Sequence, residues 1–179
     1  MPTPNNTPSL APQIILLSSI IAYPLLFHLV TPRTATASRF IKSREALSVL
    51  HCTLVTLASA YELQRRCKDW NGSSSYSSLT INDTNAPLIT ARSNVGNSIM
   101  AFELGYLLQD SVILFLAARL RKRDVGGKGK LLVKDINWRV LGWHHAGFSS
   151  ALGVLQWYIS QGREKGIMVI LMLMLMNVT

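Results

Sequence analysis

The sequence is poor in acidic residues and in cysteine. Nine Asp and Glu stand against 18 Lys and Arg, and charged residues make up only 15% of the 179 positions. The two cysteines, Cys52 in an apolar run and Cys67 in a polar stretch, do not form a disulfide framework. The net charge of +9 could suit nucleic acid, but the basic residues lie between apolar runs and not on a polar domain. We therefore expect no nucleic-acid partner.

Long apolar runs are what the sequence does contain, and they predict an all-α, multi-pass transmembrane helix bundle. Roughly 20 apolar residues cross the hydrocarbon core of a bilayer. Four runs approach or reach that length: 14–30, 46–63, 97–118 and 140–160. A fifth run, 167–176, is too short to cross, so we expect four full spans and a partial fifth.

The stretch 1–13 is polar and rich in Pro, Asn and Thr, and it predicts a disordered tail. The transmembrane domain then covers 14–179 and is expected to be incomplete at its C-terminus. A cleaved signal peptide is the alternative for the first run, because Ala35-Thr36-Ala37 has the form of a cleavage site. The run lacks a basic n-region and is long for a signal, which favours a retained span.

The distribution of Lys and Arg predicts the orientation, because these residues favour the cytoplasmic side. Twelve of the 18 lie in 31–45 and 119–139, which we expect to be loops and therefore assign to the cytoplasm. The N-terminus is then luminal. The polar stretch after the second run is luminal too, so its acceptor motifs at Asn71 and Asn82 predict N-glycosylation.

Ionisable residues inside the apolar runs are the candidate functional residues. An acidic side chain at mid-membrane costs about 2.5–3.5 kcal/mol on insertion scales, so such groups turn toward a protein interior. Glu103, Tyr106 and Asp110 recur at i, i+3 and i+7 and share one helix face. His144 and His145 are adjacent within the fourth run.

Counting depth along each helix places most of these groups in one membrane layer. At 1.5 Å per residue, His51, Asp110, His144 and His145 all lie within roughly 12 Å of the cytoplasmic ends of their helices, whereas Glu103 lies toward the opposite side. We therefore predict a cavity that opens toward the cytoplasmic leaflet and is lined by the three histidines and Asp110.

Four small residues recur at helical spacing on the run that carries the paired histidines: Gly142, Ala146, Ser149 and Gly153. Small residues let helix backbones approach closely in membranes. We expect a neighbouring helix to pack there. A helix interface that merely contains two satisfied histidines is the simpler interpretation of this run.

Several segments together resemble, in order and spacing, the TLC (TRAM, Lag, CLN) domain of multi-pass membrane proteins. The resemblance covers about 43–179, and its most specific part is Gly-Tyr-x-x-x-Asp followed by a His-His pair on the next helix. The matching segments are Ser48-Val-Leu-His51, Phe102-Glu-Leu-Gly-Tyr-Leu-Leu-Gln-Asp110, Trp143-His144-His145 and Leu173-Met-Leu-Met-Asn-Val-Thr179. It implies a protein of the endoplasmic reticulum concerned with lipids, as are ceramide synthases and regulators of membrane composition.

The sequence departs from the synthase subgroup of that family. The synthases carry further acidic residues and a His-Asp pair after the double histidine, whereas the next acid after His145 here is Glu164, beyond the helix. The resemblance therefore implies a member outside the ceramide-synthase subgroup. It also implies that further helices of the domain are missing after Thr179.

The sequence leaves three functions open. The first is lipid homeostasis by a protein that binds a membrane lipid in the His/Asp-lined cavity, with His51, Glu103 and Tyr106 as ligand-binding residues. The alternative is an acyltransferase-like lipid enzyme that uses acyl-CoA, in which His144 or His145 acts as base or acyl acceptor and Asp110 fixes its tautomer.

A proton-linked transporter is the third function. It is disfavoured because polar groups do not visibly continue through both leaflets. No cofactor is indicated. A metal site is not expected either, since adjacent residues such as His144 and His145 diverge by roughly 100° around a helix.

Overall fold

The computed structural model describes residues 10–31, 37–71, 93–124, 138–161 and 166–175, and all regular secondary structure in these ranges is α-helical. The predicted all-α fold is confirmed. The five helices are α1 (Ala11–Val30), α2 (Ala37–Asn71), α3 (Asn94–Asp124), α4 (Trp138–Ser160) and α5 (Ile167–Leu175). Most of the predicted tail, 1–9, lies outside the described residues.

Three of these helices are long and apolar enough to cross a membrane. They are α1, the part of α2 from Ser38–Arg66 and the part of α3 from Asn94–Leu116, which is consistent with an integral membrane protein. Helix α4 has 23 residues but is less apolar, because two histidines, three serines and a glutamine interrupt it. Helix α5 has nine residues, in keeping with the short fifth run.

The helices extend beyond the apolar runs that predicted them. The stretch 31–45 was expected to be a loop, yet α2 already begins at Ala37, and α3 continues to Asp124 through the basic segment that follows its apolar run. These boundary predictions were wrong because hydrophobicity indicates only the part of a helix that would lie in the hydrocarbon core of a bilayer. Arg, Lys and Glu are good helix formers, so the backbone stays helical past the apolar part.

Helix α3 is the centre of the bundle and packs against each of the other four described helices. Two glycines make close packing possible there. A Cβ on Gly105 would lie 2.5 Å from Cβ of Ser19 on α1, and one on Gly96 would lie 2.7 Å from Cγ2 of Ile167 on α5. Apolar residues from all five helices fill the interior around α3, among them Tyr23, Val55, Met100, Leu104, Leu152, Ile167 and Met168.

The small-residue stripe on α4 does not serve the purpose predicted for it. A Cβ added at Gly142 or Gly153 would meet no atom within 4 Å. The described helices therefore do not pack closely on this stripe. The close approaches occur instead at glycines of α3, which were not singled out.

A cluster of hydrogen bonds joins the last part of α2 to the beginning of α3. The Glu62 carboxylate is fully buried and accepts hydrogen bonds from Ser93 Oγ at 2.6 Å, Arg65 Nε at 2.9 Å and Arg66 Nε at 3.1 Å. Ser93 Oγ in turn accepts the backbone N–H of Gly96 at 2.9 Å. Ser93 is thus the N-cap of α3, and its hydroxyl satisfies an otherwise unpaired donor of the first turn.

Candidate functional site: a polar cavity between three helices

Helices α2, α3 and α4 enclose a cavity of about 320 Å³ that the tip of α5 also touches. Most of its lining is polar or ionisable, although the helices around it are mainly apolar. The lining residues are Arg44, Ser48, Cys52, Val55, Thr56, Glu103, Tyr106, Leu107, Asp110, His144, His145 and Met174.

An ion pair with two hydrogen bonds joins Arg44 of α2 to Asp110 of α3. Arg44 Nε donates to Asp110 Oδ1 and Nη2 donates to Oδ2, each at 2.6 Å. This two-bond geometry suits a planar guanidinium and a carboxylate. The Asp110 side chain is only 1% exposed, and a buried carboxylate without this partner would be costly. The pair therefore fixes α2 against α3 at one end of the cavity.

A chain of three hydrogen-bonded side chains from three helices forms the second feature. His51 Nε2 lies 2.6 Å from Glu103 Oε2, and His51 Nδ1 is hydrogen-bonded to Tyr23 Oη. Since the carboxylate can only accept, Nε2 carries the proton and Nδ1 accepts from the Tyr23 hydroxyl. The His51 ring also stacks on Tyr106, with ring centroids 3.9 Å apart and planes 14° apart.

His51 does not line the cavity, contrary to the sequence prediction. It lies behind Glu103 and orients that carboxylate, which does face the cavity. The depth estimate that separated Glu103 from His51 was also wrong. It counted from the end of the apolar run, whereas α3 is a 31-residue helix whose register against α2 brings the two side chains together.

The two adjacent histidines take different positions. His145 is buried, and its Nε2 lies 3.4 Å from Asp110 Oδ2. His144 is exposed and stands at the cavity rim, where its ring lies beside Phe148 with centroids 4.7 Å apart. The rotation of about 100° between neighbouring helical residues explains why only one of the pair turns inward.

Two buried polar atoms of the lining have no hydrogen-bond partner among the described residues. They are the Tyr106 hydroxyl and His145 Nδ1. Leaving such a group unpaired costs about 1–3 kcal/mol. These two atoms therefore mark where a polar group of a ligand, or a water molecule, gains a hydrogen bond.

The charges in the cavity are unequal. Arg44 is matched by Asp110, and Glu103 adds a second carboxylate whose only ionisable partner among the described residues is His51. With neutral imidazoles the cavity carries one net negative charge. It therefore favours hydroxyl, amide and cationic groups over phosphate.

A second, more apolar groove of about 500 Å³ lies between α3 and α4, and His145 lines it as well as the cavity. The other lining residues are Leu108, Ser111, Leu114, Phe115, Gly142, Ala146, Ser149 and Ser150. The buried His145 therefore lies between the polar cavity and the apolar groove.

The structure brings together most of the residues that the sequence singled out. Asp110, His144, His145, Glu103 and Tyr106 all line the cavity. Asn71 is the last residue of α2, and Asn82 lies outside the described residues.

Sequence reasoning missed two residues of the site. Arg44 was assigned to a loop, although it lies seven residues before His51 on the same helix face, a spacing that could have revealed it. Tyr23 carries no comparable signal, because nothing in the sequence distinguishes it from a lipid-facing tyrosine.

Among the described residues no group of three or more His, Cys, Asp or Glu side chains is placed to hold a metal ion. The comparisons with protein-family models, with curated proteins and with solved structures gave no match.

Proposed function

We propose that this chain is a multi-pass membrane protein of lipid homeostasis that binds a single membrane lipid, with its headgroup in the polar cavity and a hydrocarbon chain in the apolar groove. The observation that carries the proposal is the position of His145, which lines both spaces and has an unpaired, buried Nδ1. An amphiphile has the matching chemistry, because its polar and apolar parts meet at one ester, amide or hydroxyl group.

The hydrogen-bonding capacity of the site supports a headgroup with donors. If Nε2 of neutral His145 carries the proton toward Asp110, Nδ1 is an acceptor and needs an O–H or N–H from the ligand. Glu103 accepts as well, and the Tyr106 hydroxyl can donate to a carbonyl or accept. A lipid with hydroxyl or amide groups satisfies all three atoms.

We also propose that the chain is a TLC-type protein with four full crossings, a luminal N-terminus and residence in the endoplasmic reticulum. The resemblance of the Gly-Tyr-x-x-x-Asp and His-His elements supports the family and the organelle. A helix of 23 residues such as α4 is about 35 Å long at 1.5 Å per residue, which is sufficient for a fourth crossing.

Photo-crosslinking tests the lipid site. The purified chain in nanodiscs is irradiated with a lipid that carries a diazirine on its hydrocarbon chain, and the modified peptides are mapped. We expect label on groove residues of α3 and α4. We expect Gly142→Leu to reduce it severalfold, because the new side chain would start in open space on the groove wall, where a Cβ meets no atom within 4 Å.

The control for this experiment is Gly147→Leu on the same helix. A Cβ at Gly147 also meets no atom within 4 Å, but this glycine lines neither space. Equal labelling of both variants, or labelling of wild type only on the outer face of α1, would refute the site.

Acyl transfer to a lipid hydroxyl or amine is the second candidate function, favoured by the approach of His145 Nε2 to Asp110. In this reaction His145 Nδ1 would take the proton of the attacking O–H or N–H while the acyl carbonyl carbon forms its new bond. The C–S bond of an acyl-CoA thioester would then break, and the thiolate would leave with the proton returned by His145.

Thiol release from acyl-CoA, measured with a chromogenic disulfide, tests this candidate. A signal that needs the lipid acceptor and is lost in His145→Ala, while Gly147→Leu retains it, would support an enzyme. Lipid crosslinking without thiol release supports binding alone.

A further inference from the structure

Helices α2 and α3 are joined by polar pairs at several levels of their interface. Arg44 meets Asp110, His51 meets Glu103, and at the other end Glu62 meets Ser93, each at 2.6 Å. From one pair to the next, the residue number increases by 7 and 11 along α2 and decreases by 7 and 10 along α3. The two helices are therefore antiparallel, and one continuous face of each carries these polar residues.

A further pair of polar residues lies one turn inward from the Glu62–Ser93 contact. Ser59 precedes Glu62 by three positions on α2, and Asn97 follows Ser93 by four on α3. Both are almost completely buried, at 0% and 1% exposed. Ser59 Oγ and Asn97 Oδ1 have no hydrogen-bond partner among the described residues. Buried water is a common partner of such groups.

We call this set of levels the polar seam: Arg44, Asp110, His51, Glu103, Ser59, Asn97, Glu62 and Ser93. From Arg44 to Glu62 the seam covers about 27 Å of helix at 1.5 Å per residue. The hydrocarbon core of a bilayer is about 30 Å thick. Polar groups through both leaflets could not be predicted from the sequence, because serine and asparagine within an apolar run do not reveal which partner they face.

One apolar layer interrupts the seam. Val55 of α2 and Ile99 and Met100 of α3 are buried together in the core. The cavity reaches this layer from one side, because Val55 and Thr56 belong to its lining. Ser59 lies only three residues beyond Thr56, about 4.5 Å along the helix axis.

We propose that the polar seam is a pathway for protons across the membrane, closed at rest by the layer of Val55, Ile99 and Met100. Glu103 takes a proton from water in the cavity and gives one up to water on the Ser59 side when water enters the layer. The carboxylate is thereby restored, and no oxidation or reduction is involved. Apolar constrictions in channels control conduction by the same loss and gain of water.

The groups around Glu103 suit this role. His51 of α2 holds one carboxylate oxygen and is in turn bonded to Tyr23 of α1. Tyr106 and Asp110 share the cavity from α3 and Arg44 from α2, while His144 and His145 face it from α4. The Glu62 carboxylate, with its two arginines, lies at the far end. This pathway does not depend on the proposed lipid function.

Proton flux into liposomes tests the proposal. The purified full chain is reconstituted in vesicles that contain a pH-sensitive dye, and valinomycin with a potassium gradient supplies the voltage. We expect flux above that of empty vesicles for wild type and a several-fold increase for Met100→Ser, which makes the apolar layer polar. Glu103→Gln should reduce the flux at least tenfold, and Asn97→Leu should also reduce it.

The control is Leu152→Ser, which also places a hydroxyl at a buried core position but lies on α4 and outside the seam. It should leave the flux at the wild-type value. The proposal is overturned if neither wild type nor Met100→Ser exceeds empty vesicles, or if Leu152→Ser conducts as well as Met100→Ser.

Folding and lipid binding are checked on the same samples. Gel filtration and thermal unfolding show whether each variant is folded, and Glu103→Asp, which keeps the carboxylate, should retain measurable flux. Lipid crosslinking should be unchanged in Asn97→Leu and Met100→Ser. A variant that loses proton flux but keeps lipid crosslinking is therefore impaired in the pathway alone. A variant that loses crosslinking is impaired in the lipid site.

Discussion

The imidazole of His51 and the carboxylate of Glu103 meet at 2.6 Å although 52 residues separate them in the sequence. Among the described residues, neither side chain forms an ion pair within its own helix. Their contact, with that of Arg44 and Asp110, means that candidate site residues also hold α2 and α3 in one register.

The first prediction concerns the coupling of His51 and Glu103. Each alanine substitution alone should destabilise the folded chain by about 1–3 kcal/mol, because the remaining partner is left unpaired. The double variant should cost clearly less than both single effects added together, with a coupling of at least about 0.5 kcal/mol. Chemical unfolding in detergent measures this. Ser111→Ala, which removes only a bond to the backbone of its own helix, is the control.

The second prediction concerns Arg44 and Asp110. Arg44→Met should cost about 3–5 kcal/mol because the Asp110 carboxylate stays buried without its partner. The double variant Arg44→Met, Asp110→Leu should recover most of this loss, since two apolar side chains then meet. The stability of Arg44→Lys should lie between those of wild type and Arg44→Met, because lysine keeps the charge but not the two-bond geometry. Equal stability of the single and double variants would contradict this account of the pair.

The third prediction compares two helical glycines. Gly105→Ala should destabilise the bundle by about 1–3 kcal/mol, because the new methyl group would collide with Ser19 on α1 and overpacking carries this cost. Gly147→Ala meets open space and should stabilise the chain by up to about 1 kcal/mol through helix propensity. Thermal unfolding midpoints measure both, and a stabilising Gly105→Ala would mean that α1 is not held against α3.

The fourth prediction concerns access of water to the cavity through Cys52, which is part of the lining. In a Cys67→Ser background, a small membrane-impermeant thiol reagent should label Cys52 from the cytoplasmic side and not from the lumen. A cysteine placed at Leu57, on the exposed outer face of α2, should react much more slowly because lipid surrounds it. Labelling of Cys52 only from the lumen would reverse the proposed orientation.

The fifth prediction tests the same orientation by glycosylation. In microsomes the chain should gain glycans that Asn71→Gln and Asn82→Gln remove, as judged by mobility before and after glycosidase. An acceptor motif inserted into 119–139 should stay unmodified. Modification of the inserted motif alone would show that the stretch between α2 and α3 faces the cytoplasm.

Much of the fold and part of the site follow from the sequence. The five helices could be predicted because each of them contains an apolar run. The face of Glu103, Tyr106 and Asp110 follows from helical periodicity alone. These inferences are local, so they need no knowledge of which helix neighbours which.

What sequence reasoning could not supply depends on register between helices. The partnership of Tyr23 with His51 requires α1 to lie against α3 at the level that Gly105 permits. The assignment of Arg44 failed because a basic residue at the end of an apolar run is equally typical of a cytoplasmic loop. Depth counted from the ends of the apolar runs misplaced Glu103, because the helices extend beyond those runs and their ends do not mark a common level.

The central position of α3 has a consequence for biosynthesis. Helices α1 and α2 leave the ribosome first, yet the carboxylate partners of Arg44 and His51 are both on α3. Until α3 enters the bilayer, α2 must keep a guanidinium and an imidazole in or near the insertion machinery, where water or its own polar groups can solvate them. We therefore expect the nascent chain to remain at the translocon until its third helix has been synthesised.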